Sequence, residues 1–302
     1  MAAKDFKKLK IAVVMGGLSA ERRISLITGR AIYSELKKHG HNVHAININS
    51  RSIRGLLKLK PDVVINGLHG TYGEDGVMQG ILEFFDIPYA GSGVLGSAVA
   101  MNKVMAKEIM RANGILTPKW QVIGGIPDLR MGFPVVFKPE AEGSAVGVYI
   151  VKNKKEAVSA LAKTAKSGRV LAEEYIKGTE ISVPVLAGKA LPAIEIIPKN
   201  EFYDYDAKYT PGKSEHIIPA RLPKKALREA AATAVKTHNV LRCRDFSRID
   251  MIYRKGRLYV LEANTLPGMT GVSLFPESAA AAGISFYGLI KILVKEALRR
   301  KR

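Results

Sequence analysis

Ile11-Ala-Val-Val-Met15, followed directly by Gly16-Gly17, is the stretch from which the organisation of this chain unfolds. An apolar run this short, closed by two glycines, suits a parallel strand buried on both faces. Toward the C-terminus, residues 19–39 predict a helix. Ile24, Ile27, Ala31, Ile32 and Leu36 fall largely on one face, and Gly40 is a natural stop. Residues 41–48, 61–66 and 87–90 predict three more strands, with helical segments between them. Strand–helix alternation at this spacing implies a parallel sheet with crossover helices, and ligands then bind beyond the carboxyl ends of the strands. The polar clusters 16–21 and 69–76 sit at two such ends. Before the first strand, MAAKDFKKLK is basic but has no apolar segment behind it of the kind a secretory signal needs.

The rest of the chain changes character. After Gly91-Ser-Gly93 one helix is expected through Met101, Lys103 and Met110, closed by Asn113-Gly114 and Pro118. Residues 119–180 read as a small α+β unit, with strands near 119–123, 134–138, 147–151 and 170–175 and a helix around 155–166. Strands near 180–187 and 191–197 precede a polar, aromatic loop at 200–216 and a helix at 224–239. A hairpin at 249–253 and 257–261 turns on Lys255-Gly256, and a last helix occupies about 285–299. The fold class is α/β, divided into an N-terminal parallel-sheet, Rossmann-like domain at 1–96 and two α+β parts at 97–179 and 180–302.

Composition narrows the function. With 302 residues and 47% hydrophobic content the chain can bury a real core, which excludes general disorder. The single Cys243 excludes an intrachain disulfide and a cysteine zinc site. No apolar run approaches the roughly 18 residues of a membrane span, so a soluble cytoplasmic protein is expected. Forty-seven Lys and Arg against 27 Asp and Glu leave a net charge of +20, which can accompany polyanion binding. The basic residues are scattered in groups such as Lys7-Lys8 and Lys224-Lys225, without aromatic interleaving. They read as solvated surface, no nucleic-acid partner is expected, and no motif accounts for the excess. His39, His41, His44, His216 and His238 read as surface or loop positions.

The chemistry concentrates in three places. In Arg248-Ile-Asp250 and Glu262-Ala-Asn264, the two-residue period of a strand brings Asp250 and Glu262 to one side of a hairpin, with Asn264 beside Glu262 and Arg248 beside Asp250. Two carboxylates and an amide oxygen are hard ligands suited to Mg²⁺ held against phosphates, although an isolated hairpin of this kind is more often a surface salt bridge. Phe137-Lys138-Pro139 leads into Glu142-Gly-Ser-Ala-Val-Gly147, where backbone N–H groups and a lysine charge can close on phosphate. Neither P-loop nor Rossmann glycine spacing is present. Glu173-Glu-Tyr-Ile176 with Glu180 suits an adenine edge and a ribose carboxylate, and is equally an ordinary acidic turn.

Taken in order, Gly16-Gly-Leu-Ser-Ala-Glu21, His69-Gly-Thr-Tyr-Gly-Glu-Asp-Gly76, Gly91-Ser-Gly93 with Met101-Asn-Lys103, and Lys138-Pro139 with Glu142-Gly-Ser144 lead to Phe202-Tyr-Asp-Tyr-Asp-Ala-Lys-Tyr209, Arg248-Ile-Asp250 and Leu261-Glu-Ala-Asn-Thr-Leu-Pro-Gly-Met-Thr270. This series resembles the D-alanine–D-alanine ligase family of the ATP-grasp superfamily over about residues 10–295.

The resemblance implies a fold in which the two α+β parts clamp ATP. It also implies ligation of two D-alanine molecules through a D-alanyl phosphate, releasing ADP and phosphate, for peptidoglycan precursor synthesis. By the same resemblance, Lys103 and Lys138 hold the nucleotide phosphates and the segment with Glu142, Gly143 and Ser144 covers them. Glu173 and Ile176 meet adenine and Glu180 the ribose. Asp250, Glu262 and Asn264 hold two Mg²⁺ ions, with Mn²⁺ as a substitute. Glu21 pairs with the ammonium of the first D-alanine, near which His69 lies; Ser144 and Tyr209 partner Glu21. Arg248 and the N–H of Gly268 face the oxyanion. Lys208, Ser273 and Leu274 belong to the second-substrate site, and a homodimer is the family expectation.

Ala145, where members often carry a second Ser, removes one side chain from the flap, and Gly271-Val272 changes the rim before Ser273. The competing readings are a ligase taking D-lactate, another ATP-grasp carboxylate–amine ligase, and a basic nucleic-acid-binding protein with a dead ligase fold. Tyr209 argues against the first, and intact Lys138, Asp250, Glu262 and Asn264 against the last.

Overall fold

The computed structural model describes residues 6–50, 53–143, 146–198 and 212–300. The opening apolar run forms β1 (Lys10–Gly16), buried from Ile11 onward. It pairs in parallel with β2 (Asn42–Ile48) on one side and β3 (Val63–Asn66) on the other, and β3 pairs with β4 (Tyr89–Ala90). The order β2-β1-β3-β4 is the expected parallel sheet, with α1 (Arg22–Lys38), α2 (Arg54–Leu59) and α3 (Val77–Phe84) as crossovers.

The buried face of α1 differs from the expected one. Ile24, Ser25, Thr28, Gly29, Ile32 and Leu36 are buried, while Ile27 is 41% exposed. The middle of the helix lies so close to the sheet that a Cβ at Gly29 would come within 2.4 Å of the Met15 Cβ. Ser25 Oγ accepts from the Gly16 N–H (2.8 Å) and donates to the Gly67 carbonyl (2.7 Å). Small residues therefore face the strand ends, and the helix is rotated away from Ile27.

The expected single helix after Gly93 is two, α4 (Val94–Met101) and α5 (Lys103–Ala112). Asn102 sits between them in an extended conformation, and its side chain caps α5 by accepting the Met105 N–H at 2.9 Å. The Lys103 N–H leaves the helical ladder for the Glu140 carbonyl at 2.9 Å. That tie to a neighbouring element explains a break that helical periodicity alone does not show.

β5 (Trp120–Ile123), β6 (Val135–Pro139), β7 (Tyr149–Val151) and β8 (Val170–Glu174) form a second, antiparallel sheet in the order β5-β8-β6-β7, covered by α6 (Lys154–Thr164). A third sheet contains β9 (Thr179–Leu186), β10 (Lys189–Ala190), β11 (Ile194–Pro198), β12 (Ser214–Ile217), β13 (Phe246–Arg254) and β14 (Arg257–Asn264). Its order is β12-β11-β9-β13-β14, with β10 on β9, and α7 (Lys224–Val240) packs on it. Lys255 and Gly256 both have positive φ (47° and 78°), the geometry of a tight hairpin turn. Part of the stretch read as loop is strand: Ser214–Ile217 pairs with β11, and the His216 ring is fastened to Glu277 at 2.7 Å.

α8 (Leu274–Ala281) and α9 (Phe286–Arg299) end the described fold. Leu289, Ile290, Leu293 and Val294 of α9 share one core with Ile11, Val13 and Leu36, so the last helix returns to the first sheet. Two histidines read as surface positions are buried. His238 on α7 turns toward β13 and hydrogen-bonds Ser247 Oγ at 2.8 Å; burial draws its pKa down to about 4. His41 lies beside α9, with Nε2 2.8 Å from the Tyr287 hydroxyl, and burial lowers its pKa as well. Among the described residues, no single helix is long and apolar enough to cross a membrane.

Candidate active site

A cleft with a cavity volume of about 60 Å³ opens where the first and third sheets and the start of α5 converge. Glu21, His69, Lys103, Glu142, Gly143 and Arg248 line it, together with Glu262, Asn264, Gly268, Ser273 and Leu274. Most of the residues singled out in the sequence thus meet in one place, across more than 250 positions of chain.

Glu21 ends the turn that leaves β1 and stands at the N-cap of α1 without accepting a capping bond through its side chain. It is 5% exposed, and its carboxylate lies between two backbone glycines: a Cβ would come within 2.6 Å of Oε2 at Gly70 and 2.9 Å at Gly143. Gly70 also has φ +69°, a backbone conformation that L side chains rarely adopt. Ser19 fastens this corner by donating to the His69 carbonyl at 2.6 Å while accepting the Glu21 N–H at 3.2 Å. The His69 ring is held between Glu74 Oε1 (3.2 Å) and Thr28 Oγ1 (3.0 Å).

Across the cleft, β13 and β14 place Arg248 opposite Asn264 and Asp250 opposite Glu262, through a register shift between Asp250 and Met251 that a regular ladder from the Lys255-Gly256 turn does not contain. Arg248 makes a bidentate contact with Asp250 (Nε 2.9 Å, Nη2 2.7 Å), and Ser182 donates to Asp250 Oδ1 at 2.7 Å. Asp250 is therefore buried behind Arg248, whereas Glu262 and Asn264 reach the cleft. Asn264 Oδ1 accepts the Leu266 N–H at 2.9 Å, which fixes the following turn. That turn carries Gly268 against Ser273, where a Cβ would meet the hydroxyl at 2.8 Å. The Ser273 hydroxyl accepts the Thr270 N–H at 3.0 Å and lies 2.8 Å from Thr270 Oγ1.

The residues assigned to the nucleotide divide. Lys103 reaches the cleft and donates to the Glu142 carbonyl at 2.5 Å. Lys138 and Glu173 are buried together behind it, with Lys138 Nζ 2.5 Å from Glu173 Oε2. Ile176 is buried, and Glu180 stands on β9 opposite Ile196 and Ile252. Ser144, Lys208 and Tyr209 lie outside the described residues.

The structure adds partners that the sequence reading missed. Glu74 and Thr28 orient His69, and Ser182 supports Asp250. Lys107, fully buried, meets Glu173 Oε2 at 3.1 Å and donates to Thr117 Oγ1 at 2.6 Å. Burial pulls its pKa down to about 8 against the attraction of Glu173. A signal was present: Lys107 follows Lys103 by one helical turn, which puts both on one face.

The cleft can bind a zwitterion between Glu21 and Arg248 and anions beside Lys103. Comparison with known proteins places the chain in a family. Residues 126–295 match the family model described as D-ala D-ala ligase C-terminus, and residues 52–92 the one described as D-ala D-ala ligase N-terminus. D-alanine–D-alanine ligase of Geotalea uraniireducens is 45% identical over 307 residues, covering 99% of both chains. The same-named protein of Carboxydothermus hydrogenoformans is 45% identical, covering 95% of this chain and 97% of its own. The crystal structure of D-alanine–D-alanine ligase from Bacillus anthracis complexed with ATP superposes with a TM-score of 0.85 at 37% identity, covering 97% of this chain and 98% of that one. Such neighbours have the ATP-grasp fold. With both family models matched and near-full-length relatives at this identity, the chain belongs to the D-alanine–D-alanine ligase family.

Proposed function

We infer that the chain joins two D-alanine molecules at the expense of ATP, and that the cleft between Glu21 and Arg248 is where the bond forms. The convergence of Glu21, Lys103, Arg248 and Glu262 on that one cleft carries the reading. Glu21 receives the ammonium of the first D-alanine, whose carboxylate turns toward Arg248; His69, held by Glu74 and Thr28, borders this substrate. Lys103, Lys138 and the backbone at Glu142, Gly143 and Ser144 hold the ATP phosphates, Glu173 and Ile176 contact adenine, and Glu180 the ribose.

A carboxylate is a poor electrophile, so one of its oxygens first takes the γ-phosphoryl group, releasing ADP and giving D-alanyl phosphate. This transfer is mainly a task of positioning and charge stabilisation. The amine of the second D-alanine then attacks the carbonyl carbon while its carboxylate is held by Ser273 and Lys208, with Leu274 alongside. Arg248 and the Gly268 N–H oppose the developing oxyanion. The C–O bond to phosphate breaks, and the amine loses a proton as the amide forms. Tyr209 and Ser144 join Glu21 in closing the site against water.

Asp250, Glu262 and Asn264 would hold two Mg²⁺ ions, or Mn²⁺. Their fit rests on an all-oxygen donor set and on the cross-strand pairing of Asp250 with Glu262. Bound there, the ions would neutralise phosphate charge during transfer.

The three separate sheets support the division at 1–96, 97–179 and 180–302. A cytoplasmic location accords with the nucleotide substrate. A homodimer accords with the exposed apolar side chains Val77, Phe84 and Phe85 at α3 and Val94 and Leu95 at α4. Phosphate release and dipeptide formation from ATP, measured with D-alanine, L-alanine, D-lactate and no acceptor, test the reading. D-alanine alone should give product; equal turnover of L-alanine or D-lactate would overturn the assignment of substrate.

A further inference from the structure

Two ammonium groups converge on one buried carboxylate oxygen. Glu173 Oε2 lies 2.5 Å from Lys138 Nζ and 3.1 Å from Lys107 Nζ, and the side chains are 3%, 8% and 1% exposed in that order. The register brings the first contact within reach. Val136 pairs with Glu173, so Lys138, two residues on, shares the face of β6 from which it reaches diagonally to Glu173 on β8. The second contact comes from outside the sheet, from α5.

The two lysines are anchored differently. Lys107 is also held by the Thr117 hydroxyl at 2.6 Å, and its ammonium lies 5.7 Å from the centre of the Trp120 ring. It is fully buried and does not line the cleft. Lys138 occupies the penultimate position of β6, next to the turn that leads to Glu142 and Gly143 at the cleft. Lys103, one turn before Lys107 on α5, already reaches that segment through the Glu142 carbonyl.

A buried ion that loses its partner is strongly disfavoured. Were Lys138 the sole counter-ion of Glu173, moving it onto a phosphate would strand the carboxylate. A second ammonium removes that obstacle.

We propose that Lys107 is a positioning residue of the nucleotide site, a fixed counter-ion that keeps Glu173 paired and aimed so that Lys138 is free to move onto a nucleotide phosphate. This rests on the nucleotide-site reading given above. Lys107 itself touches neither nucleotide nor substrate; it acts through Glu173.

The test is steady-state kinetics of the full chain at saturating D-alanine and Mg²⁺, with thermal midpoints measured alongside. Lys107→Met keeps the apolar stem and removes the charge. It should raise KM for ATP about tenfold while kcat at saturating ATP stays within about threefold. Because Lys107 acts through Glu173, adding Lys107→Met to Glu173→Gln should change KM for ATP by less than about twofold more. A lowered thermal midpoint with unchanged KM for ATP would make Lys107 a purely structural residue and overturn the proposal. Fully multiplicative effects in the double variant would overturn it too. Should Lys107→Met fail to fold, Thr117→Val loosens the same ammonium without removing it. A smaller rise in KM for ATP then supports the proposal, and an unchanged one overturns it. If Lys138→Ala and Glu173→Gln themselves leave KM for ATP unchanged, the nucleotide-site reading falls first. If they raise it and Lys107→Met does not, only the present proposal falls.

Discussion

Asp250 and Glu262 are direct partners across the β13–β14 hairpin, and the register of that ladder shifts between Asp250 and Met251. Such an irregularity re-aims side chains locally. Here the two carboxylates have different surroundings: Asp250 is 6% exposed and gripped by Arg248 and Ser182, while Glu262 lines the cleft.

Glu262→Gln should therefore lose most ligation while the protein stays folded. The expected loss in kcat/KM is about 100-fold, the order seen when one charge-stabilising contact is removed from a reaction centre. A Mg²⁺ titration of the variant beside the parent measures it. An unchanged rate at saturating Mg²⁺ would dismiss Glu262 as a ligand.

Glu21→Gln should raise KM for the first D-alanine far more than KM for ATP. Leaving a buried charge without its partner costs about 3–5 kcal/mol. At about 1.4 kcal/mol per decade this is roughly 100-fold or more, and the same geometry predicts a comparable preference for D- over L-alanine in the parent. Kinetics with each substrate varied in turn separate the two constants. A parallel rise in both would place Glu21 elsewhere than on the ammonium.

Gly29→Ala tests the packing that seats the middle of α1 on β1. The added methyl would meet the Met15 Cβ at 2.4 Å, an atom fixed to the β1 backbone. Overpacking of this kind costs about 1–3 kcal/mol. Urea unfolding should show a lower midpoint with an unchanged slope; an unaltered midpoint would contradict the close approach of α1 to β1.

His238 should make stability depend on pH. Its folded pKa of about 4 lies below the ordinary 6.5, because burial disfavours the imidazolium. Between those values the unfolded chain binds the proton more readily. Stability is therefore fully present above pH 6.5 and declines as pH falls toward 4, by on the order of 3 kcal/mol. Denaturant midpoints of the parent and His238→Gln across this window check it: the parent should fall more steeply, and parallel curves would remove His238 as the cause.

What the sequence determined by itself is what short-range chemistry determines. The run from Ile11 to Met15 has one sensible fate once glycines close it, and it became β1. Lys255-Gly256 accepts the positive φ values of a tight turn, so the hairpin follows from local geometry, whereas the Asp250–Glu262 pairing also needs the register shift between Asp250 and Met251. The motif order identified the family because those residues carry chemistry wherever the fold puts them.

Only tertiary contacts settled the rest. The break at Asn102 depends on the Glu140 carbonyl, which takes the Lys103 N–H from another element. Ile27 faces outward because Gly29 must meet Met15, and His238 faces inward because Ser247 waits on β13. α9 returns to the core around β1, and Lys107 finds Glu173, though in sequence each is remote from its partner. Periodicity states which face of a helix is apolar. Which distant surface covers that face, and which buried charge finds a counter-ion, is chosen by close packing and by the high cost of an unpaired ion.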